Sequence, residues 1–281
     1  MSPTEFIAAL NRASTRRTTP LGGGEIVWRI WGQGPPLVLL HGGTGSWMHW
    51  VRNVDVLARD AMVIVPDIPG SGESGNPEPP ISAESIATVI LRGLEQIIGA
   101  DAHFTAAGFS MGGLIAGYLA QQAGPRADML VLVGSTGTGG ARAQMPPLQS
   151  WRRLPSDAEQ RATHRVNLGI LMIRDPAKID DLAIEVQTRN ALRSRIRGKH
   201  VSHTGALERC IMGFPGRLAG IWGEHDATAA PHLAERRQRL QLFKPGASFD
   251  ILPGAGHWVQ YEAHEPFNRR MRELLKGANR E

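Results

Sequence analysis

A chain of 281 residues, 42% hydrophobic and 20% charged, has the balance of a globular protein large enough to bury a sizeable core. Its net charge of +5 comes without a basic tail, a zinc-finger spacing or an RNP-like aromatic motif, which argues against a nucleic-acid partner. No apolar run approaches the roughly 18 residues of a membrane span, the N-terminal apolar stretch is too short for a signal peptide, and the single cysteine, Cys210, forms no internal disulfide; a cytoplasmic protein without a membrane partner is expected.

In chain order, the N-terminal MSPTEFIAALNRASTRR reads as a short helix. Gly22-Gly23-Gly24 marks a hairpin turn between two expected antiparallel strands, Arg16 to Pro20 and Glu25 to Trp31. Further strands are expected at Leu37 to Leu40, Met62 to Val65, His103 to Ala107, Met129 to Val133, Leu218 to Trp222 and Ser248 to Leu252. Helical patterns occupy Ile81 to Ile98, Met111 to Gln122, His232 to Leu242 and Pro266 to Leu275. Short, continuously apolar strands alternating with longer helices specify an α/β fold around a mostly parallel sheet.

Between 137 and 211 the alternation lapses. This stretch has Pro146-Pro147 and Pro155, then helical patterns such as Ala177 to Arg197, and no convincing strand. We expect a helical cap here, inserted into a core formed by 1–136 and 212–281. From Gly137 to Arg209 the chain carries thirteen Lys and Arg against seven Asp and Glu, the whole of its positive excess. A cap of that charge favours an acidic small-molecule substrate.

The strongest chemical signal is Gly108-Phe109-Ser110-Met111-Gly112-Gly113, a G-x-S-x-G turn between an expected strand and an expected helix. Its glycines permit a sharp turn that pushes the Ser110 hydroxyl out at the strand end. A serine hydroxyl is a poor nucleophile at neutral pH, so it needs a base and a third group that fixes the base's tautomer. Asp226, in the loop Gly223-Glu224-His225-Asp226 after a late strand, is the first choice for that group, with Glu224 as the alternative. His257, on the glycine-rich loop after the last strand, is the base. The oxyanion requires N–H donors, for which Met111 and Gly43 are the first choices and Thr44 the second. His41 reads as a structural brace of the loop and Cys210 as a small buried apolar residue.

The set His41-Gly42-Gly43, Asp67-Ile68-Pro69-Gly70-Ser71-Gly72-Glu73-Ser74, the Ser110 elbow, Asp226 and Gly256-His257 occurs in order between residues 37 and 262, and with it the chain resembles the α/β-hydrolase fold family. The resemblance implies a sheet of about eight strands with an inserted cap, a Ser110-His257-Asp226 triad, no metal and no cofactor, and it makes Asp67 to Ser74 a structural turn. Serine at the elbow, where the family's epoxide hydrolases and haloalkane dehalogenases carry aspartate, implies acyl transfer or related carbonyl chemistry. The segment from Gly256 to Glu262, continuing to Pro266-Phe267-Asn268, is similar to the subfamily that cleaves carbon-carbon bonds in meta-cleavage products. Trp258 and Met111 match that subfamily, and Arg189 is the counterpart of its carboxylate-binding cap arginine. Because Arg193, Arg195 and Arg197 lie close by, a solvated basic face is the other reading of Arg189.

Two departures decide the ranking. Phe109 stands where the subfamily usually has a substrate-contacting asparagine, and Thr44-Gly45 where it usually has a Gly-Pro step. Carboxylic ester hydrolysis therefore ranks first and carbon-carbon cleavage second, ahead of a non-catalytic ligand receptor or a cofactor-free perhydrolase. Thr44, Phe109, Arg189 and Trp258 are the expected substrate-binding residues. Trp47, Trp50, Met145, Trp151 and Met172 join Phe109 and Trp258 as candidate linings of an apolar pocket. A homo-oligomer is compatible with all of these readings.

Overall fold

Strands that are apolar on both sides of the pleat must be covered on both faces, and a computed structural model, which describes residues 1–195 and 205–278, has that arrangement. In chain order the strands are β1 (Thr15–Leu21), β2 (Gly24–Trp31), β3 (Pro36–Leu40), β4 (Met62–Pro66), β5 (Phe104–Phe109), β6 (Ala127–Val133), β7 (Arg217–Gly223) and β8 (Ser248–Leu252). They form one sheet in the order β1-β2-β4-β3-β5-β6-β7-β8; β2 is antiparallel to β1 and β4, and all other neighbours are parallel. Each expected strand forms, with ends within two residues of those read from the sequence.

The helices are α1 (Pro3–Arg12), α2 (Val54–Leu57), α3 (Ala83–Ile98), α4 (Met111–Ala123), α5 (Asp157–Leu171), α6 (Asp181–Arg193), α7 (Ala206–Ile211), α8 (Leu233–Phe243), α9 (Val259–Glu262) and α10 (His264–Ala278). Their starts are chemically marked. Ser2 with Glu5, Ser82 with Ser85 and Ser156 with Glu159 form reciprocal caps that satisfy the first free N–H groups of α1, α3 and α5.

Alternation along the central strands divides the core. Val38, Leu40, Ala106, Leu130 and Leu132 pack with α3 and α4 on one face, whereas Leu37, Leu39, Ala107, Val131 and Val133 pack with α2, α6 and α10 on the other. Among the described residues no helix is long and apolar enough to cross a membrane.

The chain between β6 and β7 carries α5, α6 and α7. Within the Ala177 to Arg197 pattern, the helix begins only at Asp181, because Asp180 caps it by accepting the Ala183 N–H at 2.8 Å after a single turn at Pro176–Lys178. Arg197 lies outside the described residues. α5 and α6 are joined through Glu185, which binds Arg161 of α5 at 2.7 Å. α7 behaves differently: its Leu207 and Cys210 are buried in the same cluster as Leu114 of α4. Burial pushes the Cys210 thiol up to about 12, so it packs as a small apolar residue and carries no thiolate near neutral pH.

The turn from Asp67 to Ser74 braces neighbouring segments. Asp67 accepts the Trp47 N–H at 2.9 Å and the Glu73 N–H at 3.0 Å, and it pairs with the buried Arg29 at 3.2 Å. Arg195 donates to Asn76 at 2.7 Å and its N–H to Gly70 at 2.8 Å, so the chain after α6 is anchored on this turn.

Candidate active site

Ser110 sits between β5 and α4 with φ 53° and ψ −116°, a conformation that costs a non-glycine residue on the order of 1–3 kcal/mol. Surrounding bonds hold it there. Its N–H donates to Val133 at 2.9 Å, and its carbonyl accepts the Gly113 and Thr136 N–H groups at 3.0 and 3.2 Å. The turn also needs close backbone approach: a Cβ on Gly108 would lie 2.2 Å from the Gly112 oxygen, and one on Gly112 2.4 Å from the His41 oxygen.

At the end of β7 the chain turns through Gly223 to Asp226, and at the end of β8 it reaches His257. Both side chains are buried, and His257 Nδ1 lies 2.9 Å from Asp226 Oδ2. The other carboxylate oxygen, Oδ1, accepts the Thr228 N–H and the Thr228 hydroxyl, each at 2.8 Å. Burial pushes the Asp226 carboxyl up. The charge and hydrogen bond of His257 and the two Thr228 bonds outweigh it, holding the group below the ordinary carboxylate range. Glu224, the alternative acid, is half exposed and accepts the Gly254 N–H at 2.9 Å, away from His257. Gly134 backs the pair, since a Cβ there would lie 3.2 Å from Asp226 Oδ2 and 3.3 Å from His257 Nδ1.

The loop after β3 is fixed by two buried histidines. His41 Nε2 accepts the Ile68 N–H at 2.9 Å, so its proton is on Nδ1, which donates to the Gly42 carbonyl at 2.8 Å. His49 Nδ1 accepts the Gly42 N–H at 3.2 Å. Burial, reinforced by His41 and His257, holds His49 well below the ordinary imidazole range, which keeps it a neutral acceptor. In a trans peptide the C=O and N–H point in opposite directions, so anchoring the Gly42 carbonyl on His41 turns the Gly43 N–H away from His41. Among the described residues neither the Gly43 nor the Met111 N–H has an acceptor.

These elements enclose a cavity of about 500 Å³ whose walls include Gly43, Thr44, Phe109, Ser110, Met111 and His257, together with Arg142, Met145, Leu171 and Met172 from the chain between β6 and β7. Thr44 has φ 51°. The Ser110 hydroxyl has no hydrogen-bond partner among the described residues, and Phe109 packs its ring 5.0 Å from that of His257. The structure therefore brings Ser110, His257, Gly43, Thr44, Phe109 and Met111 around one space, with Asp226 behind His257.

Two expectations need correction. Arg189 does not reach this cavity: its Nε donates to Glu185 at 2.8 Å and its Nη2 to Thr4 at 3.2 Å, so the helix presents it toward α1. Trp258 is fully buried and does not line the cavity either. A buried indole N–H requires an acceptor, and this one finds the His49 carbonyl at 2.9 Å while the ring stacks on Tyr261. Of the other apolar candidates, Met145 and Met172 line the Ser110 cavity, Trp151 lines a neighbouring one, and Trp47 and Trp50 are core residues. The sequence reading missed His49, Gly134, Thr228 and Arg142. Only Arg142 left a trace there, as part of the basic excess from Gly137 to Arg209.

A family model described as alpha/beta hydrolase fold matches residues 35–167. The chain is 30% identical to a 2-hydroxy-6-oxononadienedioate/2-hydroxy-6-oxononatrienedioate hydrolase from Burkholderia vietnamiensis over 85% of its own length and 86% of that protein. Its fold is similar to that of a meta-cleavage product hydrolase from Pseudomonas fluorescens, with a TM-score of 0.74 and 22% identity over 93% of this chain and 98% of that one. It is also similar to that of a carboxylesterase from Bacillus subtilis, with a TM-score of 0.73 and 18% identity over 98% of both chains. At those identities the solved structures speak to the fold alone.

Proposed function

Starting from the premise that the chain belongs to the α/β-hydrolase fold family and is a hydrolase, we propose that it cleaves carboxylic esters through an acyl-enzyme formed on Ser110. The observation that carries this reading is the buried His257–Asp226 pair, 2.9 Å apart, with His257 in the wall of the cavity that Ser110 also lines.

In the proposed mechanism Ser110 Oγ attacks the ester carbonyl carbon while His257 Nε2 accepts the hydroxyl proton. Asp226 keeps the other imidazole proton on Nδ1 and stabilises the imidazolium as it forms. The Gly43 and Met111 N–H groups, which have no acceptor among the described residues, receive the developing oxyanion. Collapse breaks the carbon-oxygen bond, and His257 returns the proton to the departing alcohol. Water, deprotonated by His257, then attacks the acyl-enzyme and releases the acid with Ser110 restored.

Carbon-carbon hydrolysis of a dienoate is the second reading, favoured by the relative from Burkholderia vietnamiensis, whose name gives that class of substrate. Arg142 in the cavity wall supports an anionic substrate in either case. Phe109 weighs against the dienoate, because a phenyl ring offers no hydrogen bond where a polar contact is needed. A side-by-side assay on p-nitrophenyl esters of increasing chain length and a chromogenic meta-cleavage dienoate tests the ranking. Ester turnover exceeding dienoate turnover supports it; rapid loss of dienoate colour with slow ester turnover reverses it.

A further inference from the structure

A second cavity, of about 250 Å³, lies under the insertion and shares Gly43, Thr44, Leu171 and Met172 with the Ser110 cavity. Two of its polar side chains are bonded to the backbone. Asn167 exchanges both its amide groups with the Gln149 backbone at 2.7 and 2.9 Å, and Arg152 donates to the Ala191 carbonyl at 3.2 Å. His164 of α5 is buried in this wall. It is 0% exposed, its ring packs 4.7 Å from that of Trp151, and neither ring nitrogen has a partner among the described residues.

A buried imidazole with two idle nitrogens is costly in an empty site and selective in a filled one. Burial, with the charge of Arg161, holds His164 below the ordinary imidazole range, so near neutral pH it offers one donor and one acceptor rather than a cation. That pairing matches an uncharged oxygen function better than a carboxylate.

We propose that this second cavity is a subsite for the end of the substrate distal to the scissile bond, and that His164 selects a chain bearing an uncharged hydroxyl or amide there. The inference rests on the Ser110 cavity being the reaction site, and not on which bond is cleaved in it. A purely hydrocarbon chain would leave both nitrogens of His164 unpaired, whereas a terminal hydroxyl, which can donate or accept, can pair with whichever nitrogen it meets.

Binding of free acids, which needs no turnover, tests this by titration calorimetry. The probes are ω-hydroxyoctanoate against octanoate and ω-hydroxyhexanoate against hexanoate, two lengths that sample the span between the cavities. Wild-type protein should bind one of the hydroxy acids at least as tightly as its plain counterpart. His164→Phe should weaken that hydroxy acid about tenfold, the loss of roughly one good hydrogen bond, and the plain acid by less than about twofold. His164→Gln, which keeps a donor and an acceptor, should restore most of the difference. Equal weakening of both acids by His164→Phe, a plain acid preferred by wild type at both lengths, or no binding of any probe overturns the inference. Because hydrolysis is not read, none of these results depends on whether the ester reading holds.

Discussion

The backbone N–H of Gly42 donates to Nδ1 of His49, 3.2 Å away, and ties the oxyanion loop to a ring that also meets Phe109 and Trp258 edge-on at 5.4 and 5.3 Å. One buried side chain thus contacts the proposed oxyanion loop, the residue before Ser110 and the residue after His257. His49→Leu removes the acceptor and should lower kcat about 10- to 100-fold, in the range seen when oxyanion donors are lost or misaimed, with little change in KM. His49→Asn, whose amide oxygen can take the place of Nδ1, should recover most of kcat. Steady-state kinetics beside thermal melting separates the two roles, since a merely structural histidine would move Tm and leave kcat of the folded enzyme intact.

His49 also marks the limit of what was legible beforehand. The strands and the elbow could be read because their signals are local: apolar runs bounded by turn residues, and a serine between glycines at a strand end. Asp226 could be placed because strand ends fall on one side of a parallel sheet. His49, Thr228 and Gly134 act through contacts that join distant segments, and nothing in Trp47-Met48-His49-Trp50 says which loop the ring will meet. The direction of Arg189 is hidden for a related reason. Helical spacing shows that it shares a face with Glu185 but not which way α6 is rotated, and the cation that lines the Ser110 cavity is Arg142, on an irregular segment with no periodicity to read.

Among the described residues, Thr228 supplies two of the three hydrogen bonds that reach the Asp226 carboxylate. Thr228→Val keeps the shape and the N–H but removes the hydroxyl bond, which helps to hold the Asp226 carboxyl down. We expect kcat to fall about tenfold, as for loss of a hydrogen bond to a charged group, and the acid limb of the pH-rate profile to move to higher pH. An unchanged limb together with unchanged kcat would show that the hydroxyl does not support Asp226.

Arg142 and Arg189 make opposite predictions for charged substrates. Arg142→Gln should raise KM for an acetoxybenzoate, whose carboxylate can meet the cation, by about fivefold, while KM for the uncharged tolyl acetate barely moves. Arg189→Gln should change neither, because its guanidinium is occupied by Glu185 and Thr4. If instead Arg189→Gln raises KM for the anionic ester alone, the substrate's acid group is held on α6.

Stability should decline on the acid side of neutrality. Burial lowers the pKa of His41, His49, His164 and His264 from the ordinary value of 6.5, so the unfolded chain takes up protons at a pH where these side chains are still neutral in the folded protein. Their contribution is complete above pH 6.5 and is lost as pH falls below that value toward the folded-state pKa of each. Calorimetric melts should show Tm dropping from pH 7 to pH 5, less steeply in His49→Asn; a flat Tm over that interval would contradict the burial of neutral histidines.

The central claim, an acyl-enzyme on Ser110, is tested most directly by rapid-mixing kinetics on a p-nitrophenyl ester with mass spectrometry of the acid-quenched protein. The account predicts a burst approaching one p-nitrophenolate per chain, an acyl adduct on the peptide containing Ser110, and loss of both in Ser110→Ala. Undiminished ester turnover by folded Ser110→Ala, or an adduct on another residue, would contradict it.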